Sequence, residues 1–370
     1  MARRRIDGVS HRYGQSMVLT RWSTALEHGG PDAGLPIRID FSTNAHPLGP
    51  NPVVRAAVDR ADRTRYPDPH YTELRSALGA FHAVEPDRIV VGSSASELIW
   101  RLTQAWSAAG RAGVVSSSQT FGEYLRAARA LGVPVAPNRT GLPADIPVLL
   151  WCCNPDNPSG AYQDDAIAAL LGSSGSHHDL IVTDLAYWPF RTLLTSDAQS
   201  PAVLQVPWAE SVVQLWSPNK LHGLTGVRGA YLVLPSDGHP RINSETMMSL
   251  APSWVLGADG VALLQAHTHP EATDFFRDTA PTLRNWKKDQ ELRLREAGWT
   301  PEASQLHFGL WRPPVPRTLQ PLWQQRLRQD GIKLRDATSF DRPGWVRLGS
   351  RAAQDVQRLV ALTEPFRNNT

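Results

Sequence analysis

Of the 38 basic residues in this 370-residue chain, four are lysines: Lys220, Lys287, Lys288 and Lys333. A lysine offers chemistry that arginine cannot, because a neutral amine condenses with a carbonyl to form a Schiff base while a guanidinium stays charged. Lys287 and Lys288 stand with Asp289 and Glu291 in a charged helical stretch and read as a solvated face. Lys333 alternates with apolar residues in Gly331-Ile332-Lys333-Leu334-Arg335 and is expected to face solvent from a strand. Lys220 follows the apolar run Val212 to Trp216 and lies in a glycine-rich loop ending at Arg228. The carboxyl end of a buried strand is where an α/β sheet places its ligands. Burial and a nearby arginine both lower an amine's pKa, which favours the reactive neutral form.

Three other loops follow apolar runs in the same way. Asp184 ends Leu180-Ile181-Val182-Thr183-Asp184, with Tyr187 three residues on; the carboxylate could also cap a helix. Asn154-Pro155-Asp156-Asn157-Pro158-Ser159-Gly160 has two Asn-Pro steps and a glycine, which force a tight turn. Gly92-Ser93-Ser94-Ala95-Ser96-Glu97 opens a helix, where free N–H groups and the helix dipole suit a phosphate.

These loops need a sheet to hold them. Short apolar runs at Arg88 to Val91, Gly113 to Ser116, Val133 to Ala136, Pro147 to Cys153, Leu180 to Asp184, Val212 to Trp216 and Ala230 to Leu234 read as buried strands. Helical periodicity falls between several of them, at Ser96 to Trp106, Tyr124 to Leu131 and Asp164 to Leu171. The alternation predicts an α/β fold, its central sheet mostly parallel with helices on both faces. The last hundred residues differ. A long amphipathic helix at Ala272 to Ala297 is followed by strand-like Gln305 to Trp311, a helix at Leu319 to Asp330, strands near Ile332 to Arg335 and Trp345 to Leu348, and a helix from Ala353. They predict a smaller α+β domain. The expected division is an N-terminal arm and start of the small domain at 1–47, a large domain at 48–268, and the rest of the small domain at 269–370.

The combination resembles the fold-type I pyridoxal-phosphate (PLP) enzymes, the aspartate aminotransferase superfamily, from about His28 to Arg347. Ser217-x-x-Lys220-x-x-Gly223-x-x-Gly226-x-Arg228 is similar to that family's cofactor-lysine motif. The resemblance implies pyridoxal 5'-phosphate as cofactor, Lys220 as the Schiff-base lysine and proton shuttle, and a large PLP-binding domain. It implies that Ser217 and Arg228 hold the cofactor phosphate with Ser94, Ala95 and Ser96. It pairs Asp184 with the pyridine nitrogen, which keeps the ring an electron sink, and sets Asn157 and Tyr187 on the ring hydroxyl oxygen. Phe121 is similar to the aromatic that stacks on the ring. Arg347, in Trp345-Val346-Arg347-Leu348-Gly349, is similar to the arginine that binds a substrate carboxylate bidentately.

Asp40-Phe41-Ser42-Thr43-Asn44-Ala45-His46-Pro47 and Arg65-Tyr66-Pro67-Asp68-Pro69 resemble the branch that holds histidinol-phosphate aminotransferase and threonine-phosphate decarboxylase. There Tyr66 implies a reach to the cofactor phosphate of another subunit, hence a homodimer with shared sites, and Asn44 and His46 imply a loop near the substrate. His46 stands where both groups have asparagine, and Leu185 replaces the glutamate usual after the aspartate. His28-Gly29-Gly30 and Ala45 are more like the decarboxylase, so the leading expectation is decarboxylation of a threonine-phosphate-type amino acid, supplying an aminopropanol phosphate for cobalamin-like side chains. The alternative is transamination of the histidinol-phosphate type, and a remote third reading is a non-catalytic binding protein. The substrate is an amino acid, with or without a phosphate.

Composition excludes other classes. At 41% hydrophobic and 20% charged, the chain is globular. The longest apolar run, Ile146 to Cys153, is far short of the about 20 residues a membrane span needs. The net charge of +3 is spread along the chain, an arginine-rich surface rather than a nucleic-acid stripe. No metal is expected: His177-His178 and His267-Thr268-His269 have no ligand partners at metal spacing and read as surface histidines. Adjacent Cys152 and Cys153 read as core residues in a reducing cytoplasm. Trp188, beside Tyr187, is the tryptophan expected nearest the substrate.

Overall fold

The structure is a computed structural model and describes residues 28–173, 179–194, 206 and 208–367. Strand β1 (Ile39–Asp40) comes first, far from its partner in sequence. Seven strands then build the main sheet: β2 (Ile89–Gly92), β3 (Gly113–Val115), β4 (Val135–Ala136), β5 (Val148–Cys153), β6 (Leu180–Asp184), β7 (Val213–Trp216) and β8 (Ala230–Val233). Their spatial order is β2-β8-β7-β6-β5-β3-β4. Pairs from β4 to β7 are parallel, while β8 runs antiparallel to both its neighbours, so the sheet is mostly parallel as expected.

Each strand is apolar on both faces because helices cover both. Along β5, Val148 and Leu150 point into one core, and Leu149, Trp151 and Cys153 into the other. The second core takes the helices Ala95–Ala108 and Glu123–Ala130. The first takes Pro52–Asp59, Thr72–His82 and Ala258–His267, three helices whose periodicity the sequence reading missed.

The helix Pro270–Glu296 leads to a second unit and contains Pro281. There β9 (Thr300–Pro301), β10 (Phe308–Arg312), β11 (Ile332–Lys333), β12 (Arg335–Asp336) and β13 (Val346–Gly349) follow. Four of them form an antiparallel sheet in the order β12-β13-β10-β9, and β11 pairs in parallel with β1. Phe41 joins Trp299, Trp311, Trp323 and Leu348 in this unit's core, so residues near position 40 fold with residues near 340.

Several expectations are corrected. Lys333 does not face solvent. Its Nζ donates to the Gly30 carbonyl at 2.5 Å and pairs with Asp32 at 2.8 Å, tying the segment after residue 27 to the second unit. Lys287 is half-buried, its Nζ donating to the Ser304 carbonyl at 2.9 Å. His267 is buried rather than superficial, with Nδ1 3.0 Å from Nε2 of His222. Most of the expected N-terminal arm, and His177-His178, lie outside the described residues. Among the described residues, no helix is long and apolar enough to cross a membrane.

Candidate active site

The carboxyl ends of β2, β5, β6 and β7 open into one cavity of about 1130 Å³. Parallel register brings the chemistry together: Cys153 lies opposite Asp184, and Asp184 opposite Leu215, two residues before Ser217. Ser94, Ala95, Ser96, Phe121, Asn157, Asp184, Tyr187, Ser217, Lys220 and Arg228 all border this cavity, and so do Asn44 and Arg347 from the second unit's side.

The helix after β2 starts on Ser94, whose Oγ accepts the Glu97 N–H at 3.1 Å. Glu97 in turn accepts the Ser93 N–H at 3.2 Å and binds Arg101, which locks the turn. The first-turn N–H groups at Ala95 and Ser96 have no helical carbonyl to meet. Arg228, exposed, makes only a long 3.5 Å contact to the Thr225 carbonyl. Two N–H groups, the buried Ser217 and an arginine with no carboxylate pair among the described residues form the donor set a phosphate dianion needs. The residues present therefore fit the phosphate of PLP.

The Asn154–Gly160 turn is built by Asp156, which accepts from Thr120 Oγ1 at 2.6 Å and from Ser159 Oγ at 2.6 Å. It delivers Asn157, whose Oδ1 accepts from Arg347 Nη1 at 2.6 Å and whose amide N–H groups are left for the cavity. Arg347 Nη2 donates to the Ser42 carbonyl at 2.6 Å, and its Nε is buried with no partner among the described residues. Its contacts are neutral oxygens, so a buried guanidinium faces the cavity with capacity for an anion. Burial and the nearby Arg335 lower its pKa to about 10, against the Tyr187 and Asp40 charges that raise it. Tyr187 Oη accepts from Asn44 Nδ2 at 3.2 Å, leaving its own proton to donate.

Asp184 is buried, with Oδ1 accepting the Ala186 N–H at 3.0 Å and Oδ2 accepting the Tyr124 hydroxyl at 2.8 Å. Burial raises its carboxyl pKa, while Lys220 and Tyr124 oppose the rise. Lys220 Nζ donates to Ser217 Oγ at 3.3 Å and lies 5.4 Å from the centre of the Tyr187 ring. Desolvation in the cleft lowers its pKa, Asp184 raises it, and Arg228 lowers it further. The lysine loop turns on Gly223 at φ +66°, where a Cβ would come within 3.0 Å of Gly49 Cα; only glycine meets both demands.

Three expected residues lie elsewhere. His46 does not border the cavity. Its ring packs among Phe190, Phe275 and Phe276, because three aromatic faces there leave room only for another flat ring. Its contribution is through the backbone, its N–H donating to the Lys220 carbonyl at 2.9 Å. Tyr66 is 76% exposed, stacks on Trp254 at 4.3 Å, and does not reach its own chain's cavity. Trp188 packs on Trp208 in the core. In the other direction, the sequence reading missed Arg335, Arg126, Glu123 and Cys153 at the cavity. Arg335 sits directly across from Arg347 in the β12–β13 register, a pairing no local spacing reveals.

Comparison with known proteins agrees with this geometry. The family model "aminotransferase class I and II" matches residues 36–363, and the chain belongs to that family. It is thus a PLP-dependent enzyme of the transaminase and decarboxylase kind. It is 27% identical over 353 residues to the histidinol-phosphate aminotransferase of Lactiplantibacillus plantarum, covering 91% of this chain and 94% of that one. Its fold is similar to the histidinol-phosphate aminotransferase from Sinorhizobium meliloti in complex with pyridoxal-5'-phosphate (TM-score 0.72, 20% identity, 90% and 92% of the chains). It is similar also to L-threonine-O-3-phosphate decarboxylase from Porphyromonas gingivalis (TM-score 0.67, 20% identity, 89% and 99%).

Proposed function

We propose that the chain is a transaminase for a phosphate-bearing amino donor, of the histidinol-phosphate type. This reverses the order of the two expectations drawn from His28-Gly29-Gly30 and Ala45. The observation that carries it is the near full-length likeness to a histidinol-phosphate aminotransferase. The cavity supports it with two cross-strand arginines, Arg335 and Arg347, in its lining.

Bound PLP supplies an electron sink for charge developing at the substrate α-carbon. The protein's residues divide the remaining work. Ser94, Ala95, Ser96, Ser217 and Arg228 would hold the cofactor phosphate, and Phe121 would cover the ring. Asp184 would hold the ring-nitrogen proton, while Asn157 and Tyr187 would donate to the ring hydroxyl oxygen. Arg347, which borders the cavity, would bind the substrate anion. Lys220 would hold the cofactor through its amine and would move the α-proton as general base and acid, and desolvation favours the neutral amine that the first of these roles needs.

Tyr66 serves the cavity of a second copy, so the enzyme is a homodimer; its exposed stack on Trp254 supports this reading. The unbridged Cys152 and Cys153 support a cytoplasmic setting. The decarboxylase reading keeps one observation in its favour, that His28 and Gly29 border the cavity.

The test is product analysis of the holoenzyme with histidinol phosphate, phosphothreonine and plain amino acids, each with a 2-oxo acid acceptor. Transamination yields the new carbonyl product and the aminated acceptor in equal amounts. Amine plus carbon dioxide with no acceptor turnover would overturn it in favour of decarboxylation.

A further inference from the structure

We propose that Tyr124 is a positioning residue that fixes the Asp184 carboxylate against the cofactor's ring nitrogen. The inference rests on the assignment of Asp184 made above. Tyr124 is fully buried and does not border the cavity, so it acts through another group. Its hydroxyl donates to Asp184 Oδ2 at 2.8 Å. With the Ala186 N–H on Oδ1 at 3.0 Å, both oxygens are held and the carboxylate plane cannot swing about its Cβ–Cγ bond.

The tyrosine is itself clamped. Its ring stacks on Trp151 at 4.5 Å and 9°, and meets Phe121 edge-on at 5.6 Å and 84°. Phe121 and Tyr124 stand three residues apart where the helix Glu123–Ala130 begins, and thus on neighbouring faces of one turn. One short segment therefore sets both the residue over the ring face and the donor behind the ring edge. A hydroxyl donated to a buried carboxylate also favours its ionised form, which is the form that holds a pyridinium proton. Packing alone would be served as well by phenylalanine; the hydroxyl is held by Asp184, with the Cys153 thiol as its other neighbour.

The experiment compares the affinity of apoprotein for PLP and for its 1-deaza analogue, in which a ring C–H replaces the nitrogen. Tyr124→Phe keeps both ring contacts and removes only the hydroxyl. It is expected to weaken PLP binding on the order of tenfold, the size of a hydrogen bond to a charged group, and to leave the deaza analogue within twofold of wild type. Equal weakening of both, or of neither, overturns the proposal, because a packing role does not distinguish them. The ratio of affinities does not depend on how much protein folds, and Tyr124→Leu supplies the same ratio if Tyr124→Phe is not recovered. Wild type and Asp184→Asn test the underlying assignment separately. If wild type already binds both cofactors alike, the Asp184 role fails and takes the Tyr124 role with it.

Discussion

Lowering the pH from 8 to 5.5 should weaken this protein sharply, through histidines packed behind the cleft. His46, His222, His267 and His307 are all buried. Burial lowers His46 and His267 to about 4 and His307 to about 3, and holds His222 well below its usual value. They surround the lysine loop. His222 follows Lys220 by two residues, His46 binds the Lys220 carbonyl through its N–H, and His307 Nε2 lies 3.1 Å from the Asn44 carbonyl. A folded-state pKa below the unfolded one means that the unfolded chain takes up the protons first. The stabilising effect is full above about pH 6.5 and falls as pH drops toward the folded values. At pH 5.5 each neutral histidine costs about 1.4 kcal/mol relative to pH 8, because the unfolded imidazole is one unit below its pKa. His46, His267 and His307 together come to about 4 kcal/mol, with His222 acting in the same direction, a large share of a typical stability of about 5–15 kcal/mol. Asp156 and Asp184, whose carboxyls burial raises, act in the opposite sense, the penalty of their buried charge being relieved as pH falls through their raised folded values. The assay is the urea midpoint at fixed cofactor concentration, read together with the visible band of bound PLP. The midpoint should fall steeply between pH 6.5 and 5.5, with cofactor lost at the same pH or above. A midpoint flat across that window would refute the argument.

Three other perturbations have definite outcomes. Arg347→Lys keeps the charge but loses the fork held by Asn157 and Ser42; kcat/KM should fall about 10- to 100-fold, from about 1.5–3 kcal/mol of charge-assisted bonding, while an unchanged value in steady-state assays would remove it from the site. Gly223→Ala forces a left-handed residue against Gly49; a loss of at least about 1–2 kcal/mol in denaturant titration is expected, with weaker cofactor retention. Lys333→Met removes the bonds to the Gly30 carbonyl and Asp32, though Arg328 still holds Asp32; the expected result is a raised KM with stability lowered by only about 1 kcal/mol, and equal loss in kcat would point instead to a displaced catalytic lysine.

What the sequence made legible follows from range. Strands such as Leu180–Asp184 and the helix after Ser94 are local patterns, and their ends fall within a residue or two of the expectation. Residues at the ends of parallel strands were likewise found, because the rule that sites gather there needs no register. Asn44 and Arg347 were found only through motif likeness. What escaped depends on contacts between distant segments. His46 was placed at the substrate by its loop, yet three phenylalanines from elsewhere in the chain claim its ring. Lys333 alternates like a solvent-facing strand residue, yet the chain near Gly30 crosses over it. Arg335 and Tyr124 gain their significance from Arg347 and Asp184, partners that no spacing along the chain discloses.

The two-residue pairing of Ile39–Asp40 with Ile332–Lys333 sets an order of events during synthesis. The last strand of the main sheet ends at residue 233 and the last helix on its faces at residue 267, so this unit can fold while the rest emerges. Phe41 and the Ser42 carbonyl must wait until β11 and β13, nearly three hundred residues further along the chain, give them a core and an arginine to bind. Contacts of such long sequence separation form slowly. A stalled or truncated chain would therefore carry a finished phosphate cradle and lysine loop but no closed substrate wall, and the nascent enzyme becomes selective only after its last strand is made.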